Sequence, residues 1–248
     1  MKKKVMLFVF SLFLVIPIGV IISSSDIFPF LKSLAGVFLE GEHFEVREDE
    51  VVWITFSATG KYEIKLEADP NTFTLMNHKY YAHDHERVYY GFREINDADP
   101  NSFRIVNKFY AADSKQAYKT DSLIDGANGA FFEYLGGSFS KDDKNVFAGT
   151  SKMEICDFPS FRYIGGYLDE FALDDKCAYS GLFQIPVQDR KTFQLLGKGF
   201  SKDSKAAYWH NHLLEGADPK SFKVIKGKGI AKDKNGCWYG PQAKPCTK

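Results

Sequence analysis

Acidic residues are the first candidates for chemistry, because many of them recur at regular distances. Asp69, Asp84, Asp99, Asp113, Asp142, Asp157, Asp174, Asp189, Asp203, Asp218 and Asp233, with Asn128 in the same series, run through most of the chain. Acidic repeats can bind calcium, which takes about six to eight oxygens, but no dense D-x-D-x-D-G cluster is present, and a structural role is the preferred reading. His83 and His85, close to His78, form one H-x-H pair, and His210 and His212 form a second. On a strand, residues i and i+2 share a face, so either pair could supply two ligands to zinc or copper. The sequence names no third ligand, and surface histidines are the preferred reading. Asp169-Glu170 and Asp174-Asp175 are paired carboxylates of the kind used in general acid–base work, but their segment reads as a solvated loop. There is no glycine-rich phosphate loop, no G-x-S-x-G and no Cys-His pairing with usable spacing. No cofactor is expected.

The four cysteines are Cys156, Cys177, Cys237 and Cys246. Zinc would require close C-x-x-C-type pairs, which are absent, and a catalytic thiol pair fails on the same ground. An even count points to two disulfides, with three connectivities open. The pairing Cys156–Cys177 and Cys237–Cys246 is favoured because each pair is local. Closing a loop of about 20 residues stabilises by roughly 3 kcal/mol on the chain-entropy model.

The N-terminus agrees with export. MKKK precedes Val5 to Ile22, a stretch without a charge, and SSSD follows. This is the layout of a secretory signal, with the rest of the chain carried across a membrane. Residues 1–25 are expected to be a signal peptide, cleaved to leave Asp26 first, or else an uncleaved membrane anchor. No cysteine follows the apolar run, which argues against a lipoprotein. The chain is balanced at 32 basic and 32 acidic residues, and loss of Lys2, Lys3 and Lys4 would leave −3. That excludes the basic footprint of a nucleic-acid binder. An aromatic content of 16% favours strands over helical bundles.

The regular acids belong to a repeat. ADPNTF (68–73), ADPNSF (98–103) and ADPKSF (217–222) are clear copies of one box, and NGAFF (128–132), DFPSF (157–161) and DRKTF (189–193) are weaker ones. Their first polar residues, Asp69, Asp99, Asn128, Asp157, Asp189 and Asp218, are 29 to 32 residues apart, and a Phe stands four residues after each. A second Asp recurs at 84, 113, 142, 174, 203 and 233. Five residues after it is an aromatic: Tyr89, Tyr118, Phe147, Tyr179, Tyr208 and Trp238. Three before it is a large apolar residue, from Tyr81 to Ile230, and two before it a small one, Ala or Ser. Asp and Asn suit tight turns, and the aromatics flanking them suit opposed strands. The Asp-Pro box suits the start of a single helical or 3₁₀ turn that drops its Phe into the core. Each unit then reads as capped turn, short strand and hairpin, and cannot bury its aromatics without its neighbours.

The fold expected is therefore a β-rich repeat protein of about six units of ~30 residues in an open stacked array, with a closed propeller-like ring as the alternative. Residues 26–67 form an N-terminal cap with a degenerate half-repeat, 68–240 the six repeats, and 241–248 a tail. The fourth unit carries extra residues within 163–175. Tyr90, Trp209 and Tyr239 follow a core-facing position by one and are expected on an exposed face, where aromatics could stack on a sugar or nucleobase.

Asp233-Lys234-Asn235 followed by Trp238-Tyr239, with Asp84 before Tyr89-Tyr90 and Asp203 before Tyr208-Trp209, resembles the DKNYY repeat family. The resemblance covers roughly 68–240. Lys-Asn is kept only in part, and the second and fourth units keep one aromatic. The resemblance implies an exported bacterial protein and brings no catalytic residues to carry over. The expectation is a non-enzymatic binding or scaffold protein of the cell envelope, periplasmic or tethered to the inner membrane by an uncleaved N-terminal segment. Its partner would be a protein or glycan, not nucleic acid, with membrane contact only through residues 1–25. The alternative is an envelope hydrolase or metal-dependent protein with its site near 163–175 or at the H-x-H pairs.

Overall fold

The computed structural model describes residues 41–165 and 170–246. The expected signal or anchor at 1–25 and residues 166–169 of the long loop lie outside the described residues. Among the described residues no helix is long and apolar enough to cross a membrane. Residues 41–42 and 55–62 form a small unit of their own, in which the Thr55 hydroxyl donates to Glu42 at 2.7 Å. The main body comprises His43–Ile54 and the chain from Glu63 onward.

Among the described residues seven separate antiparallel sheets follow one another along the chain. Sheet 1 has three strands, His43–Val46, Val51–Ser57 and Gly60–Leu66. Sheets 2 to 7 are four-stranded meanders, one per repeat. In sheet 3 the strands are Arg104–Ile105, Tyr110–Ala112, Ala117–Lys119 and Ser122–Leu123. The sequence suggested three strands per unit. The fourth is present because the strands are only two to four residues long, so four of them fit into ~30 residues. The box is a 3₁₀ turn at Gly129–Phe131, Phe158–Ser160 and Arg190–Thr192, and an irregular turn in the other three units.

Alternation along the strands explains the columns. In a strand successive side chains point to opposite faces, and here both faces of the two inner strands are covered. Ala82 and Tyr89 of sheet 2 pack with Trp53 and Phe44 of sheet 1, while Tyr81 and Val88 pack with Ala111 and Tyr118 of sheet 3. The pattern continues with Tyr110 and Ala117 against Phe147, Phe139 and Val146 against Ala172 and Tyr179, Phe171 and Ala178 against Tyr208, and Phe200 and Ala207 against Ala231 and Trp238. The small column is required because each member faces its unit's aromatic directly across the hairpin, as Ala111 faces Tyr118 and Ser201 faces Tyr208. Among the described residues each of the six core clusters is shared by consecutive sheets, and none joins the first sheet to the last. The sheets therefore form the open array, not the ring.

Cys237 occupies the column of Val88, Ala117, Val146, Ala178 and Ala207. It is bonded to Cys246, which ties residue 246 back to the third strand of the seventh sheet across the fourth strand, Gln242–Lys244. The other disulfide joins Cys156 to Cys177. Both are the local pairs expected, and both fit folding in an oxidising compartment.

Candidate functional site

The recurrent turn aspartate is buried in five units and half-buried at Asp233, and it clasps each unit. One carboxylate oxygen of Asp113 accepts the N–H groups of Lys115 and Gln116 at 2.7 Å each, which fixes the hairpin turn. The other accepts the N–H of Asp99 at 3.2 Å and the Tyr118 hydroxyl at 2.7 Å, which ties in the box and the column aromatic. Asp84 does the same with Glu86, Arg87, Asp69 and Tyr89, and Asp203 with Lys205, Ala206, Asp189 and Tyr208. In the sixth unit the Trp238 indole N–H donates to Asp233 at 3.1 Å. In the third, Phe147 has no polar tip, and the Asn145 amide donates to Asp142 instead.

Burial is the largest influence on Asp113 and opposes its charged form. The hydrogen bonds from Gln116, Tyr118, Lys115 and Asp99 together outweigh it and hold the carboxyl below its usual range. Asp84, Asp142 and Asp203 are lowered by the same balance. The partners respond oppositely: burial, then the adjacent carboxylate, pushes the phenols of Tyr118, Tyr179 and Tyr208 well above their ordinary value. A buried carboxylate saturated by four or more donors has no lone pair left for calcium or for a reacting proton.

Several expected site residues are placed differently by the structure. Asp174, read as part of a solvated loop, is fully buried and is the fourth unit's clasp, bonded by Lys176, Cys177, Cys156, Asp157 and Tyr179. Its neighbour Asp175 is exposed as expected, and Asp169 lies outside the described residues. Neither H-x-H pair lies within one strand. His83 ends a strand and donates to the Asp84 carbonyl, while His85 sits in the turn 3.0 Å from the Thr72 hydroxyl. His210 occupies a turn, and only His212 is in the strand after it. Among the described residues no group of three His, Cys, Asp or Glu side chains is placed to hold a metal ion. Tyr90, Trp209 and Tyr239 are half-buried rather than exposed, because the side of the strand opposite one core is the next core. Tyr90 meets the Tyr81 ring edge-on at 5.0 Å, Trp209 packs in the cluster between sheets 6 and 7, and Lys244 lies over Tyr239 at 5.8 Å.

The turn between the third and fourth strands is partly exposed in each unit. Its first residue has positive φ in every unit: Gly91, Thr120, Gly149, Gly181, His210 and Gly240. Glycine adopts that conformation without strain, and histidine does not. Turns of consecutive units lie side by side, as the Arg93–Asp121 ion pair at 2.9 Å shows. His210, with φ of 49°, fits because the preceding unit offers the small Ser180, whose hydroxyl is 3.0 Å from His210 Nδ1. Phe171 lies parallel to the imidazole at 6.2 Å.

Beside this pair is a depression of about 330 Å³ lined by Glu170, Ser180, Gly181, Leu182, Phe183, His210 and Asn211. Glu170 comes from the long segment of the fourth unit and also has positive φ, at 28°. Its carboxylate accepts the Ser138 hydroxyl. The site thus joins the segment and one of the histidine pairs that the sequence singled out separately. Ser180, Phe183 and Asn211 were missed. The available signal was His210 standing in a column that is glycine in four of the six units.

The DKNYY family model matches the chain over residues 46–180 and again over 81–242. No curated protein and no solved structure matches it. The two overlapping matches take in part of the first sheet and all six repeats as far as Gln242, the first residue of the last strand, and the chain belongs to the DKNYY family.

Proposed function

We propose that the protein is a non-enzymatic binding or scaffold module of the bacterial cell envelope, exported and either periplasmic or tethered by its N-terminal segment. The observation that carries this is the commitment of the buried acidic and aromatic columns to the clasps and the inter-sheet cores. The side chains left exposed include apolar ones in the third-to-fourth-strand turns and the fourth strands, such as Phe92 at 45%, Leu123 at 46% and Phe183 at 61% exposure. Repeat arrays offer extended surfaces of this kind to partners. The two disulfides, the charge-free segment after MKKK and the family membership support an extracytoplasmic location. Cross-linking in intact cells, followed by purification and mass spectrometry, tests the reading. One envelope component recovered in constant proportion is the expected result; a chain recovered alone from the cytoplasm contradicts it.

A second reading, an envelope hydrolase, is favoured by the Ser180–His210 contact in a depression that also holds Glu170. There the Ser180 hydroxyl would attack an acyl carbon and pass its proton to His210, which returns it to the leaving group before water releases the acyl group. Ser180 is buried at 7% exposure, which restricts that attack. Labelling of Ser180 by a fluorophosphonate would favour the hydrolase, and an unlabelled folded protein the binding module.

A further inference from the structure

We propose that the depression between sheets 5 and 6 binds one uncharged sugar ring of a glycan, with Phe183 as the platform for its apolar face and Asn211, Glu170 and His210 as partners for its hydroxyls. This rests on the binding-module reading and names the ligand class for one place on the array.

The chemistry of the lining selects the ligand. Phe183 is exposed at 61% and Leu182 at 42%, in the turn and first residue of a fourth strand whose edge is unpaired. An exposed ring next to an amide, an imidazole and a carboxylate suits a molecule with one apolar face and a rim of hydroxyls. Among the described lining residues there is no Lys or Arg, and there is one carboxylate, so the site offers nothing to a phosphate, sulfate or acidic sugar. A depression of about 330 Å³ is at the small end of ligand sites, the scale of a single ring rather than a peptide segment.

The site also holds two of the repeat's departures from its own pattern. Two non-glycine residues with positive φ, Glu170 and His210, line it from different sheets. Backbone held in such conformations is strained and persists where the surroundings fix it, a feature concentrated at functional sites. Ser180 acts as a positioning residue, since its hydroxyl bond to Nδ1 sets the plane of the imidazole that edges the depression.

The test is binding of the disulfide-intact protein to an immobilised panel of neutral cello-, malto- and chito-oligosaccharides, with titration calorimetry on those that bind. Phe183→Ala and Asn211→Ala are compared with Phe131→Ala, an exposed aromatic in the 3₁₀ turn of sheet 4's unit, and thermal melting establishes that all three fold. The expected result is binding that weakens by about tenfold or more in Phe183→Ala and Asn211→Ala and is unchanged in Phe131→Ala. Failure to bind any neutral sugar, a preference for acidic sugars, or binding that survives both site substitutions overturns the proposal. If cross-linking in cells still captures an envelope protein, only the sugar site falls. If neither a sugar nor a cellular partner is found, the binding-module reading falls with it.

Discussion

The Tyr118 hydroxyl donates to the Asp113 carboxylate at 2.7 Å across a fully buried gap, five residues after it in sequence. The same carboxylate holds the turn between them and the N–H of Asp99 from the preceding box. The hairpin, the box and the aromatic core of a unit therefore depend on one ionised group. Its removal, or its protonation, should loosen all three together.

The clasps predict a stability limit on the acid side. Asp84, Asp113, Asp142 and Asp203 titrate below their ordinary range in the folded chain, while unfolded aspartates titrate near pH 3.9. A depressed folded value gives stability that is complete above the unfolded value and lost as pH falls through the folded one. Urea midpoints should be flat from neutrality to about pH 5 and should drop steeply below about pH 4.

The tyrosines set an opposite limit. Burial raises the phenols of Tyr81, Tyr89, Tyr110, Tyr118, Tyr179 and Tyr208, so their contribution is complete below the unfolded value near 10 and lost as pH rises beyond it. Alkaline titration should show these phenols ionising together with loss of the fold, by phenolate absorbance and circular dichroism. Ionisation near pH 10 with the fold retained would show that they are not buried.

Ser140 and Ser201 place hydroxyls in fully buried positions without a hydrogen-bond partner, facing Phe147 and Tyr208. The other four units carry Ala in that column. Ser140→Ala and Ser201→Ala should each raise stability by about 1 kcal/mol in urea unfolding, because an unpaired buried hydroxyl is a net cost. A loss of that size in either variant would mean that the hydroxyl has a partner.

His210→Gly separates stability from function. It relieves a histidine held at φ of 49° but loses the contacts with Ser180 and Phe171. Strain relief and contact loss are each about 1 kcal/mol, so the melting temperature should stay close to that of the parent. Sugar binding should still fall, measured on the same oligosaccharides. A large loss of stability with intact binding would make the imidazole a packing element.

The columns were legible because every inter-sheet junction imposes the same volumes, so one requirement is written six times. The clasp was only half legible. An aspartate in a turn reads as solvated, and the bond from Asp69 N–H to Asp84 spans 15 residues, which no local pattern reports. A signal was nevertheless present: five of the six column aromatics, all but Phe147, carry a polar tip that buried rings need only when a partner is waiting. The fourth strand was missed because its short edge segments, such as Arg93–Glu94 and Ser151–Lys152, have no hydrophobic alternation. The buried residue just after it, Ile95, Ile124, Met153, Ile185 and Leu214, is a further column that would have revealed it. Half-burial of Tyr90, Trp209 and Tyr239 follows from sheets covered on both sides, a tertiary fact that alternation alone leaves open.

The most direct measurement is equilibrium urea unfolding of Asp113→Ala beside Asp125→Ala, an exposed aspartate of the same unit. If the recurrent acids are structural clasps, Asp113→Ala loses about 3–5 kcal/mol, because several buried donors are left without an acceptor, while Asp125→Ala stays within about 0.5 kcal/mol of the parent. Equal stability in the two variants would contradict the account and return the acidic columns to the search for a binding or catalytic role.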